Sequence, residues 1–317
     1  MNARMGYLAS LTSYPAQLLA VFLIGVFFHW VFRKLRARFQ ARMGPPWYQS
    51  FMDIVKLFSK ECIIPSTAGR IPFIMAPLIS FTGYLVIALM VPVSRELPTP
   101  LSFAGDLIVI LVALAVPSIA VILGGISSAS PYGAIGASRE ASLLVASEAV
   151  LMASALTPAI YSGTLNLAEL IEAQATSEPF AAKFPFATGA FFICILLKLG
   201  RKPFDIPEAD VEIVAGPYTE YSGPLLGFFE ISNMLRWSLM PALGVNLFLS
   251  GGRLTGMPQA NTPIFLAISL VVVALASYLD SQNPRWRIDQ AFKHLFTWVM
   301  VLSIIDGLRA ATGVGLW

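Results

Sequence analysis

About eight apolar runs, each close to 20 residues long, take up most of the chain, and that length is what an α-helix needs to cross a ~30 Å hydrocarbon layer. They lie near residues 14–32, 73–93, 106–125, 141–162, 184–199, 224–250, 262–280 and 292–312. In such a solvent each backbone N–H and C=O must find a partner within the protein, so an apolar run of this length is read as a helix. Only 12% of the 317 residues are charged, roughly half the fraction usual in a soluble domain. The expected fold is therefore all-α, a single polytopic membrane domain over residues 1–317. The first run is too long for a signal peptide, lacks a small-residue cleavage site and is followed by strong basic charge, so it is expected as a retained span.

Lys and Arg are distributed unevenly between the connections. The first carries Arg33, Lys34, Arg36, Arg38, Arg42, Lys56, Lys60 and Arg70; the third, fifth and seventh carry Arg139, the Lys198–Arg201–Lys202 group, and Arg285, Arg287 and Lys293. The even connections offer only Arg95, Lys183 and Arg253. Positive charge stays on the cytoplasmic side, which puts the odd connections there and both termini opposite, in the cytoplasmic (inner) membrane of a cell. Within the first connection, Trp47, Phe51, Ile54, Val55 and Phe58 recur at helical spacing against Asp53, Lys56 and Lys60. A short amphipathic helix is expected there, lying along the interface or wedged against the bundle. The basic run before it suits anionic lipid.

The fifth connection, KLGRKPFDIPEADVEIVAGPYTEYSG from Lys198 to Gly223, concentrates charge in a chain that otherwise avoids it. Asp205, Glu208 and Glu212 follow i, i+3, i+7 spacing, so a helix through them would present all three on one face, with Pro207 in its first turn and Gly216-Pro217 as its stop. Glu220 follows, and Lys198, Arg201 and Lys202 are the adjacent charge partners. Inside the spans, Glu148 lies about a third of the way into the fourth, and an intramembrane acid is a functional candidate by default. Glu230 and Arg236 are also intramembrane, whereas Asp306 and Arg309 read as a pair snorkelling at a helix end. Pro117, Pro158 and Pro241 are candidates to interrupt spans.

Several chemistries find no support. Cys62 and Cys194 are far apart without a CxxC, and His29 and His294 are equally isolated, so neither a cluster nor a metal site is expected from this chain alone. No phosphate-binding glycine loop, nucleophile elbow or HExxH is present, and nothing points to nucleic acid. No catalytic residue is assigned.

GRKPFDIPEADVEIVAGPYTEYSG closely resembles the signature of the complex I membrane subunit next to the hydrophilic arm, the family of mitochondrial subunit 1 and the bacterial H subunit. RARFQARMGPP, GASREASLLVASEAVLM and RIDQAFKHLFTW follow in family order, and the eight-span topology with termini outside agrees. Three departures resemble the energy-converting [NiFe] hydrogenase branch instead. Gly44-Pro45-Pro46 runs directly into Trp47, Lys198 stands where a family glutamate is usual, and Gly216-Pro217-Tyr218-Thr219 precedes Glu220.

The resemblance implies a non-catalytic subunit that docks an electron-transfer arm and joins it to antiporter-like membrane subunits, with iron–sulfur clusters and a [NiFe] centre in hydrogenase-like partners. It implies an ion path through Glu148, Asp205, Glu208, Glu212 and Glu220, and a docking or quinone-like pocket at Arg42, Gln49 and Asp53. Closely spaced carboxylates in low dielectric titrate together at raised pKa, which suits a path driven by nearby redox charge. Whether quinone is bound stays open, as do a quinone-site role beside quinone-reductase-like partners, a passive anchor, and a stand-alone carrier.

Overall fold

The computed structural model describes the backbone of residues 2–93, 101–175, 178–252 and 261–313, and their side chains apart from those of 2–13, Ala175 and Asp210. The chain runs α1 (Asn2–Phe39), α2 (Gln49–Phe58), α3 (Arg70–Met90), α4 (Asp106–Ala113), α5 (Ala115–Ser127), α6 (Pro131–Ser162) and α7 (Leu167–Ala175). It continues with α8 (Phe180–Lys183), α9 (Pro185–Lys198), α10 (Asp210–Ile213), α11 (Gly223–Phe248), α12 (Asn261–Gln282), α13 (Ile288–His294) and α14 (Met300–Ala311). No strand occurs among the described residues. Each expected apolar segment occupies a helix. Among the described residues six spans, Tyr14–Phe39, Arg70–Met90, Asp106–Ser127, Pro131–Ser162, Asn261–Gln282 and Ile288–Ala311, are long and apolar enough to cross a bilayer. α9 is a shorter apolar helix, and α11, 26 residues long, carries Glu230 and Arg236. Arg95 and Arg253, used in the charge count, lie outside the described residues.

α11 is the centre of the bundle. It packs against α1, α3, α9 and α12, and Trp237, Met240, Leu243 and Leu247 along it are buried. A helix apolar on most of its faces belongs inside such a bundle. Close approach of backbones, rather than escape from water, holds helices together in lipid, and small residues permit it. At Gly25 of α1 a Cβ would come 2.2 Å from the Met234 carbonyl oxygen of α11, and at Gly125 of α5 one would come 2.8 Å from the Gly133 carbonyl of α6.

Of the three prolines expected to interrupt spans, only Pro117 accompanies a break. The third span splits at Leu114, just before the ring that leaves the Ala113 carbonyl without its usual donor. Pro158 and Pro241 sit inside continuous helices. Asp306 and Arg309 do not snorkel. Asp306 is fully buried, accepts from Arg309 at 2.7 Å and accepts the Ala187 backbone N–H at 2.9 Å, answering one of the free donors at the start of α9.

In the first connection the amphipathic helix forms as α2, but its apolar residues part. Ile54 is buried and Phe58 packs on Phe228 of α11, while Trp47, Phe51 and Val55 face outward. The fifth connection departs from expectation most. No helix runs through Asp205, Glu208 and Glu212; the chain turns repeatedly, forming only the single-turn α10 and a 3₁₀ turn at Gly216–Tyr218. Pro203 and Pro207 each remove a donor and bias the residue before them away from helix, and Gly200 and Gly216 take positive φ of 61° and 53°.

Candidate functional site

Three cavities adjoin one another at Glu208 and Asn233. The outer one, about 490 Å³, lies between α1, α2 and α11 and is walled by His29, Arg33, Asp53, Arg201 and Glu230 among others. A middle space of about 260 Å³ takes in Tyr218, Glu230 and Arg236. The inner one, about 50 Å³, follows α6 from Glu140 past Ser147 to Lys198, with Tyr84, Asp205 and Arg236 on its other walls. Glu208, between the buried Pro207 and Ala209, walls all three.

The acids of the fifth connection separate by environment. Burial pushes the Glu208 carboxyl up to about 7, against the opposing pull of Arg236 and Arg201. Burial also raises Asp205, although Arg285 donates to it at 2.9 Å. Glu212 behaves oppositely: its side chain is 51% exposed, and the hydrogen bond from Arg139 at 2.8 Å holds it below the usual range. Glu220 is half-buried, walls none of the three cavities, and makes no hydrogen bond or ion pair among the described residues. The shielded cluster thus takes in Asp205 and Glu208 but leaves Glu212 at the surface. The Asp210 side chain lies outside the described residues.

Beyond the inner cavity, Lys198 Nζ donates to Glu148 Oε1, with side-chain exposures of 4% and 16%. The second Glu148 oxygen is buried without a partner, and Lys198 Nζ also lies 3.5 Å from the Leu114 carbonyl at the break in the third span. A buried ion pair is retained only where each charge has its counterpart, and removing one alone is costly. Arg201 stacks over Phe32 at 4.7 Å and Trp237 at 5.4 Å, which places its charge at the inner face of the outer cavity. Lys202 contributes through its backbone, whose N–H donates to Asp280 at 3.0 Å.

In the first connection, Asp53 accepts from Arg33 and Gln49, both at 2.8 Å. Burial works to raise its carboxyl, but these two bonds prevail and keep it low. Gln49 therefore orients Asp53 rather than walling the cavity itself, and Arg42 is exposed and walls none of the three. Sequence reading missed Glu140, which walls the inner cavity, and the partners Arg33, Asp280 and Arg285. Only the helical position of Glu140, two turns before Glu148, gave a sign of it. No group of three or more His, Cys, Asp or Glu suited to a metal occurs among the described residues.

Residues 14–310 match the NADH dehydrogenase family. The chain is 32% identical over 314 residues to the H subunit of the NADH-quinone oxidoreductase of Thermomicrobium roseum, covering 90% of this chain and 91% of the relative. It is 30% identical over 289 residues to hydrogenase-4 component C of Escherichia coli, covering 90% of each. Among solved structures, a chain of the membrane-bound sulfane sulfur reductase, an archaeal respiratory membrane complex, superposes with a TM-score of 0.87 at 26% identity, covering 95% of this chain and 99% of that one.

Proposed function

This chain belongs to the NADH dehydrogenase family and is a multi-pass membrane subunit of a redox-driven complex, and on that premise we propose that it couples electron flow in a hydrophilic arm to ion movement through neighbouring membrane subunits. The observation that carries this reading is the position of Glu208, which borders both the cavity open beside the first connection and the narrow one ending at Lys198 and Glu148. A carboxyl at about 7 there takes or gives up a proton when a charge nearby changes. The ion then passes by Asp205 and Glu140 to the Lys198–Glu148 pair, where the arriving cation takes the place of the Lys198 ammonium at the intramembrane carboxylate. Glu212 and Glu220, on the outer side of the connection, serve docking of the arm together with Arg42, Gln49 and Asp53.

The branch we favour is hydrogenase-like, with iron–sulfur and [NiFe] subunits as partners. The outer cavity supports it: nine of its 14 wall residues are ionisable, whereas sites for aromatic rings are mostly apolar. A quinone-site role is the second reading, favoured by the NADH-quinone oxidoreductase relatives. The proteins that co-purify with this chain separate the two. The coupling role is tested with Glu148→Gln in the intact complex. Ion pumping should be lost while electron transfer with a soluble donor stays nearly unchanged. Wild-type pumping in that variant would remove Glu148 from the path.

A further inference from the structure

Arg33 and Arg36 stand one turn apart on α1, Lys56 lies in the last turn of α2 and Lys60 just past its end, and all four wall the outer cavity of about 490 Å³. We infer that the mouth of this cavity binds a phosphate-bearing anion, held between the two arginines of α1 and the two lysines at the end of α2, with an acidic phospholipid headgroup or free inorganic phosphate as its source. The inference does not depend on the coupling role.

The two arginines already have carboxylate partners, Asp53 and Asp280, each at 2.8 Å. These bonds fix the guanidinium groups without exhausting their donors, since Arg presents five. The side chains of Lys56 and Lys60 make no hydrogen bond or ion pair among the described residues. Deeper in, two buried nitrogens lack any partner: Nε of Arg201 and Nδ1 of His29, whose residue is only 7% exposed. Two unpaired lysines, an arginine with an unanswered donor and a histidine nitrogen therefore converge on one space. The acids facing it offset this only in part. Asp53 is bonded to Arg33, and Glu208 loses charge below about pH 7, which leaves Glu230.

A phosphate offers several acceptor oxygens and pairs readily with Arg and Lys together. Leu57 and Leu226 line the same space, and Phe51 and Val55 face outward from α2, so an acyl-bearing headgroup meets apolar surface where it leaves the cations. A free phosphate needs only the cations.

The test uses the intact membrane complex in nanodiscs of phosphatidylglycerol and phosphatidylethanolamine. Retained phosphatidylglycerol is counted after detergent washing, and binding of radiolabelled inorganic phosphate is measured in parallel. The Lys56→Gln/Lys60→Gln double variant should retain phosphatidylglycerol about tenfold more weakly. Lys56→Arg/Lys60→Arg should hold it, and Arg287→Gln, a cation outside the cavity, should change nothing. Loss of phosphate binding in the Gln variant with lipid retention unchanged identifies free phosphate as the source. Equal retention of both probes in the Gln variant and wild type, or an equal loss in Arg287→Gln, overturns the site. A photoactivatable phosphatidylglycerol on the wild-type complex guards against a variant that fails to assemble. Where the anion is the lipid, it should crosslink to the α2 peptide; where neither that crosslink nor phosphate binding is found, the site is also overturned.

Discussion

Glu208 and Glu212 are four positions apart and respond to pH in opposite senses. Glu208 is raised from 4.5 to about 7, so the folded state prefers its neutral form. Its contribution to stability is full below about 4.5 and is lost as pH rises through about 7. Glu208→Gln, which stays neutral, should match wild type at low pH and become the more stable of the two above 7. The gain should be at most on the order of 3 kcal/mol, measured by thermal unfolding in detergent across that range. An unchanged difference between low and high pH would show that Glu208 ionises as in water. The opposed environments could not be read from spacing alone. The partner that keeps Glu212 charged, Arg139, is 73 positions away, and the cavities that Glu208 borders are walled by residues of seven helices as well as its own loop. By contrast, Glu148 was legible, because a carboxyl inside an apolar run stands out without knowledge of its partner.

At the level of elements, the fifth connection is held by backbone packing instead of by a helix of its own. The 3₁₀ turn at Gly216–Tyr218 lies on Gly136 of α6, where a Cβ would come 2.5 Å from Pro217 Cδ, and at Gly216 a Cβ would come 2.0 Å from the Pro207 carbonyl oxygen. At Gly200, also at positive φ, the nearest contact would be 3.8 Å. A graded series follows. Gly200→Ala should cost about 1 kcal/mol from backbone strain alone, and Gly136→Ala roughly 1–3 kcal/mol from overpacking. Gly216→Ala should cost the most, since it combines both. Protease nicking between residues 200 and 220 should accelerate in that order, with helical content unchanged; an equal effect at all three would refute the packing account. The i, i+3, i+7 acids misled because the same spacing arises wherever carboxylates gather. Pro203 and Pro207 were the signs against a helix. α2 was legible since its period continued over three turns, although which of its apolar residues faced inward depended on α11.

For the whole molecule, the spans were legible because bilayer thickness imposes a length on them, whereas their order around α11 depends on glycine contacts that no single run displays. The asymmetry of Lys and Arg predicts both termini on the non-cytoplasmic side. A reporter active only after export, fused at the C-terminus, should be active, and one inserted beside Arg287 should be silent; the reverse would invert the orientation. The enclosure of α11 also bears on how such a chain is made. Among the described residues six spans can leave the translocon for lipid on their own hydropathy, but α11 is not among them and carries Glu230 and Arg236. Each such charge opposes insertion by a few kcal/mol. During synthesis α11 therefore depends on α1, α3 and α9 already waiting beside the exit to receive it, so biogenesis of the bundle proceeds around its least lipid-soluble member.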